Sequence, residues 1–69
     1  MALTIFTSEI TLGDALKWAG VAPTGGQAKV LIRSGRVLVN GVVEHRRGRR
    51  LGPGDRIAVS GREYRVVAR

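Results

Sequence analysis

The spacing of apolar residues changes period at Gly35, and that change constrains the fold more than any other feature of the chain. Before it, Leu12, Ala15, Leu16 and Ala19 recur at helical spacing, and so do Ala28, Leu31 and Ile32. From Arg36 the period is two, in Arg36-Val37-Leu38-Val39 and again in Val42-Val43-Glu44-His45. Asn40-Gly41 lies between those runs. It is the strongest short-range hairpin signal, because both central residues of a type I′ turn need positive φ. Helices therefore come first and strands after.

The boundaries carry their own signals. Leu3-Thr4-Ile5-Phe6 reads as a short opening strand. Ile10-Thr11-Leu12-Gly13-Asp14 begins the first helix, with Thr11 as cap, and Gly20 ends it. Thr24-Gly25-Gly26-Gln27 matches the S/T-x-x-Q start of a second helix, which Ser34-Gly35 stops with Gly35 as a left-handed cap. The link between the helices is short, so they pack as neighbours. Beyond the hairpin, Arg46 to Arg50 reads as a loop and Leu51-Gly52-Pro53-Gly54-Asp55 as a turn. Ile57-Ala58-Val59 and Tyr64-Arg65-Val66-Val67 read as strands around Ser60-Gly61. The order β-α-α-β-β-β-β predicts an α+β domain over residues 1–69, two N-terminal helices packed on a small antiparallel or mixed sheet. A chain of 69 residues with one Phe, one Trp and one Tyr has to build its small core from Val, Leu, Ile and Ala.

Charge points to the partner. Arg46-Arg47-Gly48-Arg49-Arg50 packs four guanidinium groups into one short run, in a chain of net charge +7. Crowded like charges gain nothing for folding, so the run predicts a polyanion as partner, nucleic acid first. On the second helix Lys29 and Arg33 share a face turned away from the Ala28/Leu31/Ile32 stripe. Gly26 lies on the same side one turn earlier. A helix start with glycines at 25 and 26 offers backbone N–H groups with no side chain to hold a phosphate away. Lys29 or Arg33 taken singly reads as ordinary solvated surface; the loop and the helix start make them more than that.

Other functions fit less well. The chain has no cysteine, hence no disulfide or thiolate metal site. No leader or membrane-spanning pattern appears, so the cytoplasm is the expected compartment. Catalysis would draw on one histidine, His45, and on Glu9, Asp14, Glu44, Asp55 and Glu63. His45 beside Glu44 cannot make a metal site alone, and no cofactor or metal is expected. A DNA-reading helix-turn-helix is disfavoured by the strand-rich C-terminal half and the glycine-rich helix start. Trp18 and Val30 point away from the buried stripes, which keeps a ribosome-associated protein-docking adaptor as the alternative. Trp18 is expected to pack against the segment before Thr24. A monomer is expected.

Thr11 to Asp55 resembles the ribosomal-protein S-four RNA-binding domain, the alpha-L RNA-binding motif. The resemblance is carried by Thr11-Leu12-Gly13-Asp14-Ala15-Leu16, Gly26-Gln27-Ala28-Lys29-Val30-Leu31-Ile32-Arg33-Ser34-Gly35, Arg36-Val37-Leu38-Val39-Asn40-Gly41 and Leu51-Gly52-Pro53-Gly54-Asp55. Each piece is weak alone and specific in combination. Within the family the chain looks like the small stand-alone bacterial members. The resemblance implies a binder of structured RNA, ribosomal or transfer RNA, that works through helix two and the adjoining loop. It implicates Gly26, Gln27, Lys29 and Arg33, then Arg46, Arg47, Arg49 and Arg50. Many members have Ser-Arg where this chain has Gly25-Gly26, which shifts the expected burden toward the arginine loop.

Overall fold

The apolar stripes of both helices meet one face of a five-stranded sheet in the computed structural model, which describes residues 1–69. The elements are β1 (Ala2–Ile5), β2 (Ile10–Thr11), α1 (Leu12–Trp18), α2 (Gly25–Arg33), β3 (Leu38–Val39), β4 (Val42–Val43), β5 (Arg50–Leu51), β6 (Arg56–Val59) and β7 (Arg62–Ala68). The main sheet runs β1-β7-β6-β3-β4, and β2 pairs with β5 in a separate two-stranded ladder. All pairings are antiparallel except β1 with β7, whose register sets Ala2 opposite Arg65. The fold is α+β with a mixed sheet.

Alternation aims Leu3 and Ile5 of β1, Ile57 and Val59 of β6, and Tyr64 and Val66 of β7 into the core. Leu12, Ala15 and Leu16 of α1 and Ala28 and Ile32 of α2 close over them, while Leu31 is only half buried. Helices of 7 and 9 residues are too short to persist in water alone. Their stability therefore comes from this packing, and truncating a fully buried side chain such as Leu16 or Ile32 to Ala should cost about 2–5 kcal/mol.

The local stop and start signals act as read. Thr11 Oγ1 accepts the Asp14 N–H and Thr24 Oγ1 the Gln27 N–H, each at 3.2 Å. Gly35 is left-handed at φ +80°. Asn40 and Gly41 have φ of 53° and 84°, as a type I′ turn requires, and Ser60 and Gly61 repeat that geometry at 54° and 75°. The Asn40 side chain then ties its hairpin to the next turn. Its amide donates to Asp55 Oδ1 at 3.0 Å and its carbonyl oxygen accepts the Arg56 N–H at 2.9 Å.

Three expectations need correction. Ile10 and Thr11, read only as the lead-in to α1, form β2, because Leu51 and Arg50 pair with them, while Thr11 keeps its role as cap. Arg50 thereby leaves the loop and becomes a strand residue. The first hairpin is also shorter than its apolar pattern suggested, with Arg36, Val37, Glu44 and His45 outside its strands. The Glu44 N–H still reaches the Val37 carbonyl at 3.0 Å. Beyond that bond the chain diverges to start the arginine loop.

Candidate nucleic-acid interface

The arginine loop is built around an internal anion. Glu44 is the one buried charged side chain in the molecule. Its Oε2 accepts the backbone N–H groups of His45 (3.1 Å) and Arg46 (3.2 Å) and the Arg46 Nε–H (3.4 Å), and its Oε1 accepts Arg49 Nη1 at 2.9 Å. Hydrogen bonds from Arg49 and then Arg46 hold the Glu44 carboxyl at a pKa of about 2, well below its ordinary 4.5. Repulsion among the loop guanidiniums is thus offset before any ligand arrives. A sequence cue was available, since Glu44 stands two residues before Arg46.

The loop is also pinned to α1. The Leu12 N–H donates to the Arg49 carbonyl at 2.8 Å and the Gly13 N–H to the Arg47 carbonyl at 3.0 Å. With Asp14 capped by Thr11, every amide of the first three helical positions is satisfied, so the α1 start is closed to ligands. Gly13 is needed for this approach. A Cβ there would stand 2.6 Å from Arg47 Cγ.

The pinned loop lies beside α2, and the cleft between them is lined by Lys29, Ile32, Arg33, His45, Arg46, Arg47 and Gly48. Lys29, Arg33 and Arg47 are exposed and make no ion pair. Arg46 keeps an open side chain while touching Glu44 through its Nε. At the α2 start the Thr24 cap satisfies Gln27, and the Gly25 and Gly26 amides have no acceptor within the molecule. Neither glycine has positive φ. A Cβ would meet nothing within 4 Å at Gly25, and only Thr24 Oγ1 at 3.9 Å at Gly26. The fold itself asks for glycine at neither position. Gly26 lies about 4.5 Å along the helix axis from Lys29, so the two unpaired amides stand about one turn from the cleft, at the positive end of the helix dipole.

The residues singled out in the sequence separate into two groups. Lys29, Arg33, Arg46 and Arg47 come together in the cleft, with Gly26 and Gln27 one turn toward the helix start. Arg49 and Arg50 face elsewhere, lining a shallow depression with Arg46 and Gly48. Arg49 is half buried on Glu44, and Arg50 bonds Glu9 Oε1 at 2.6 Å. His45, Gly13 and Glu44 are the residues that sequence reasoning left outside the site. Trp18 is 61 % exposed, with the Phe6 ring beside it, rather than packed down on the segment before Thr24.

Comparison with known proteins agrees with this architecture. An S4 domain family model matches residues 3–67. "Probable ribosome maturation protein RlbA" of Bacillus subtilis (strain 168) is 44% identical over 59 residues, 86% of this chain and 83% of that protein. YbcJ of Escherichia coli (strain K12) is 37% identical over 59 residues, 86% of this chain and 84% of its own. The solution structure of Escherichia coli YbcJ, described as revealing an alpha-L motif involved in RNA-binding, superposes with a TM-score of 0.73 at 32% identity. That match covers 97% of this chain and 86% of YbcJ. The 30S ribosomal protein S4e from Thermoplasma acidophilum shares the fold at a TM-score of 0.65 and 24% identity, over 86% of this chain and 31% of S4e. No helix is long and apolar enough to cross a membrane. In sequence and in fold alike, the chain belongs to the S4 domain family.

Proposed function

We propose that this protein binds structured RNA without catalysing a reaction, through the α2 start and the cleft between α2 and the arginine loop. The observation that carries the reading is the convergence of unpaired Lys29, Arg33 and Arg47 on one cleft whose loop Glu44 holds in place. A site organised before binding loses little entropy when the ligand arrives. Arg46 and Arg47 can fork onto phosphate oxygens, and the open Gly25 and Gly26 amides take a further phosphate. Such a surface suits the shape and backbone of folded RNA better than base edges in a DNA groove. The relatives' names favour a ribosomal RNA over a transfer RNA, and hence a ribosome-associated role in the cytoplasm.

The acids support a binding role rather than a chemical one. Glu44 organises the loop, Glu9 pairs with Arg50, Asp14 lies in the first turn of α1, and Asp55 holds the Asn40 and Gly52 groups. A protein-docking adaptor is the second reading, favoured by Val30, which stands 68 % exposed on α2. A filter-binding titration against a ribosomal RNA fragment at several salt concentrations tests the main reading. With about four to six phosphates contacted, log affinity should fall against log salt with a slope of about −3 to −5. A flat response refutes the phosphate model, and a partner that survives nuclease treatment favours the adaptor.

A further inference from the structure

Two of the three aromatic side chains are on the surface of a protein short of large apolar residues. Phe6 is 63 % and Trp18 61 % exposed. Their ring centroids are 6.5 Å apart with planes tilted by 56°. Ile5, Phe6, Thr7, Ile10 and Trp18 line an apolar notch of about 90 Å³ between them. The Arg69 guanidinium lies 5.2 Å from the Phe6 centroid, which leaves Trp18 as the ring without a stacked partner. The notch borders a wider groove that includes Glu9, Asp14, Lys17 and Pro23. Both carboxylates there are matched, Glu9 by Arg50 at 2.6 Å and Asp14 by Lys17 at 4.0 Å.

We propose that the Phe6–Trp18 notch stacks one unpaired nucleobase of the RNA that the basic cleft holds. The inference rests on the RNA-binding reading above and adds a class of ligand feature to it. Continuity supports it: Arg50 follows the arginine loop directly and its guanidinium reaches Glu9 at the rim of the groove. Size supports it as well. A stable protein partner covers about 800 Å² of each surface. That is roughly a fifth of the 4332 Å² this molecule exposes, far more than the notch. An amphipathic helix would need a long groove with several anchoring pockets. A notch of this volume accepts one flat ring, and Arg69 over the Phe6 ring and Lys17 in the bordering groove stand to meet the flanking phosphates. Folded RNA offers such rings at bulges and loops, where bases are free of pairing.

Trp18 is the only tryptophan, so its fluorescence reports on the notch directly. The probes are one RNA hairpin with a single-nucleotide adenine bulge and the same hairpin fully paired, each titrated into the full chain at low salt. The bulged hairpin should quench Trp18 emission and bind about tenfold more tightly, the effect expected of one stacked base. Trp18→Leu should erase that preference and leave affinity for the paired hairpin unchanged, whereas Trp18→Tyr should keep most of it. The exposure of Trp18 means both variants should fold, which circular dichroism checks. Paired-hairpin binding without a bulge preference, or a preference that survives in Trp18→Leu, overturns the stacking site alone. Failure of the wild type to bind either hairpin overturns the RNA reading and this inference together. Nuclease-resistant capture of a protein, lost in Trp18→Leu, would assign the notch to a protein partner instead.

Discussion

Replacing Gly25 and Gly26 together by alanine should raise the stability of the domain and lower its affinity for RNA. Glycine is disfavoured in a helix because it surrenders more backbone freedom than alanine. Both residues are helical, neither has positive φ, and a Cβ at either would stand clear of the protein. In the first turn the gain should be about 0.5 kcal/mol each, near the lower end of the usual range. A combined gain of about 1 kcal/mol raises Tm by about 4–8 °C in a domain of this size. The new methyl groups would lean toward the helix start, where the two amides lack an acceptor. Loss of one charge-assisted hydrogen bond there costs about 1.5–3 kcal/mol, or roughly a 10- to 100-fold drop in affinity. Thermal melting and RNA titration of the same preparation measure the two effects. A stabilised variant with wild-type affinity would show that the amides take no part in binding. A destabilised variant would show that the fold needs the glycines, against the geometry.

Lys29→Glu with Arg33→Glu should weaken RNA binding, reduce the steepness of the salt slope by about two, and leave the melting curve close to wild type. Unchanged affinity would transfer the site to the loop alone. Glu44→Gln should loosen the loop, seen as faster hydrogen exchange at the Leu12 and Gly13 amides. Because the folded pKa of Glu44, about 2, lies below its ordinary 4.5, its stabilisation is complete above 4.5 and lost as pH falls through 2. Asp55, lowered by its bonds to Asn40 and Gly52, contributes with the same sign. Urea midpoints from neutral pH down to about 2 should therefore fall less steeply in Glu44→Gln than in wild type. Equal slopes would show that Glu44 is not the anion that holds the loop.

The features legible in the sequence are those that a few neighbouring residues dictate. Thr11 and Thr24 cap helices because their hydroxyls reach amides three residues on. Gly35, Asn40 and Gly41 bend the chain because they tolerate positive φ. The clustering of Lys29 and Arg33 on one helical face, and the density of the arginine run, follow from period and composition alone. That is enough to specify an α+β fold and to mark a basic surface on α2 and the loop.

Tertiary structure decided what local rules do not reach. Trp18 came to rest beside Phe6, the residue that follows β1, and not on the segment before Thr24. The roles of the four loop arginines also diverged. Glu44, buried as the chain leaves the hairpin, draws in Arg46 and Arg49; Glu9 draws in Arg50; and Gly13, by lacking a side chain, lets Arg47 lie against α1 at the mouth of the cleft. The meetings of Trp18 with Phe6, Arg47 with Gly13 and Arg50 with Glu9 bring together residues from separate parts of the chain, and at Glu44, close to its arginines in sequence, the fold adds burial. Turn dihedrals and helical period carry no information about such meetings, whereas burial and charge pairing in the closed fold settle them.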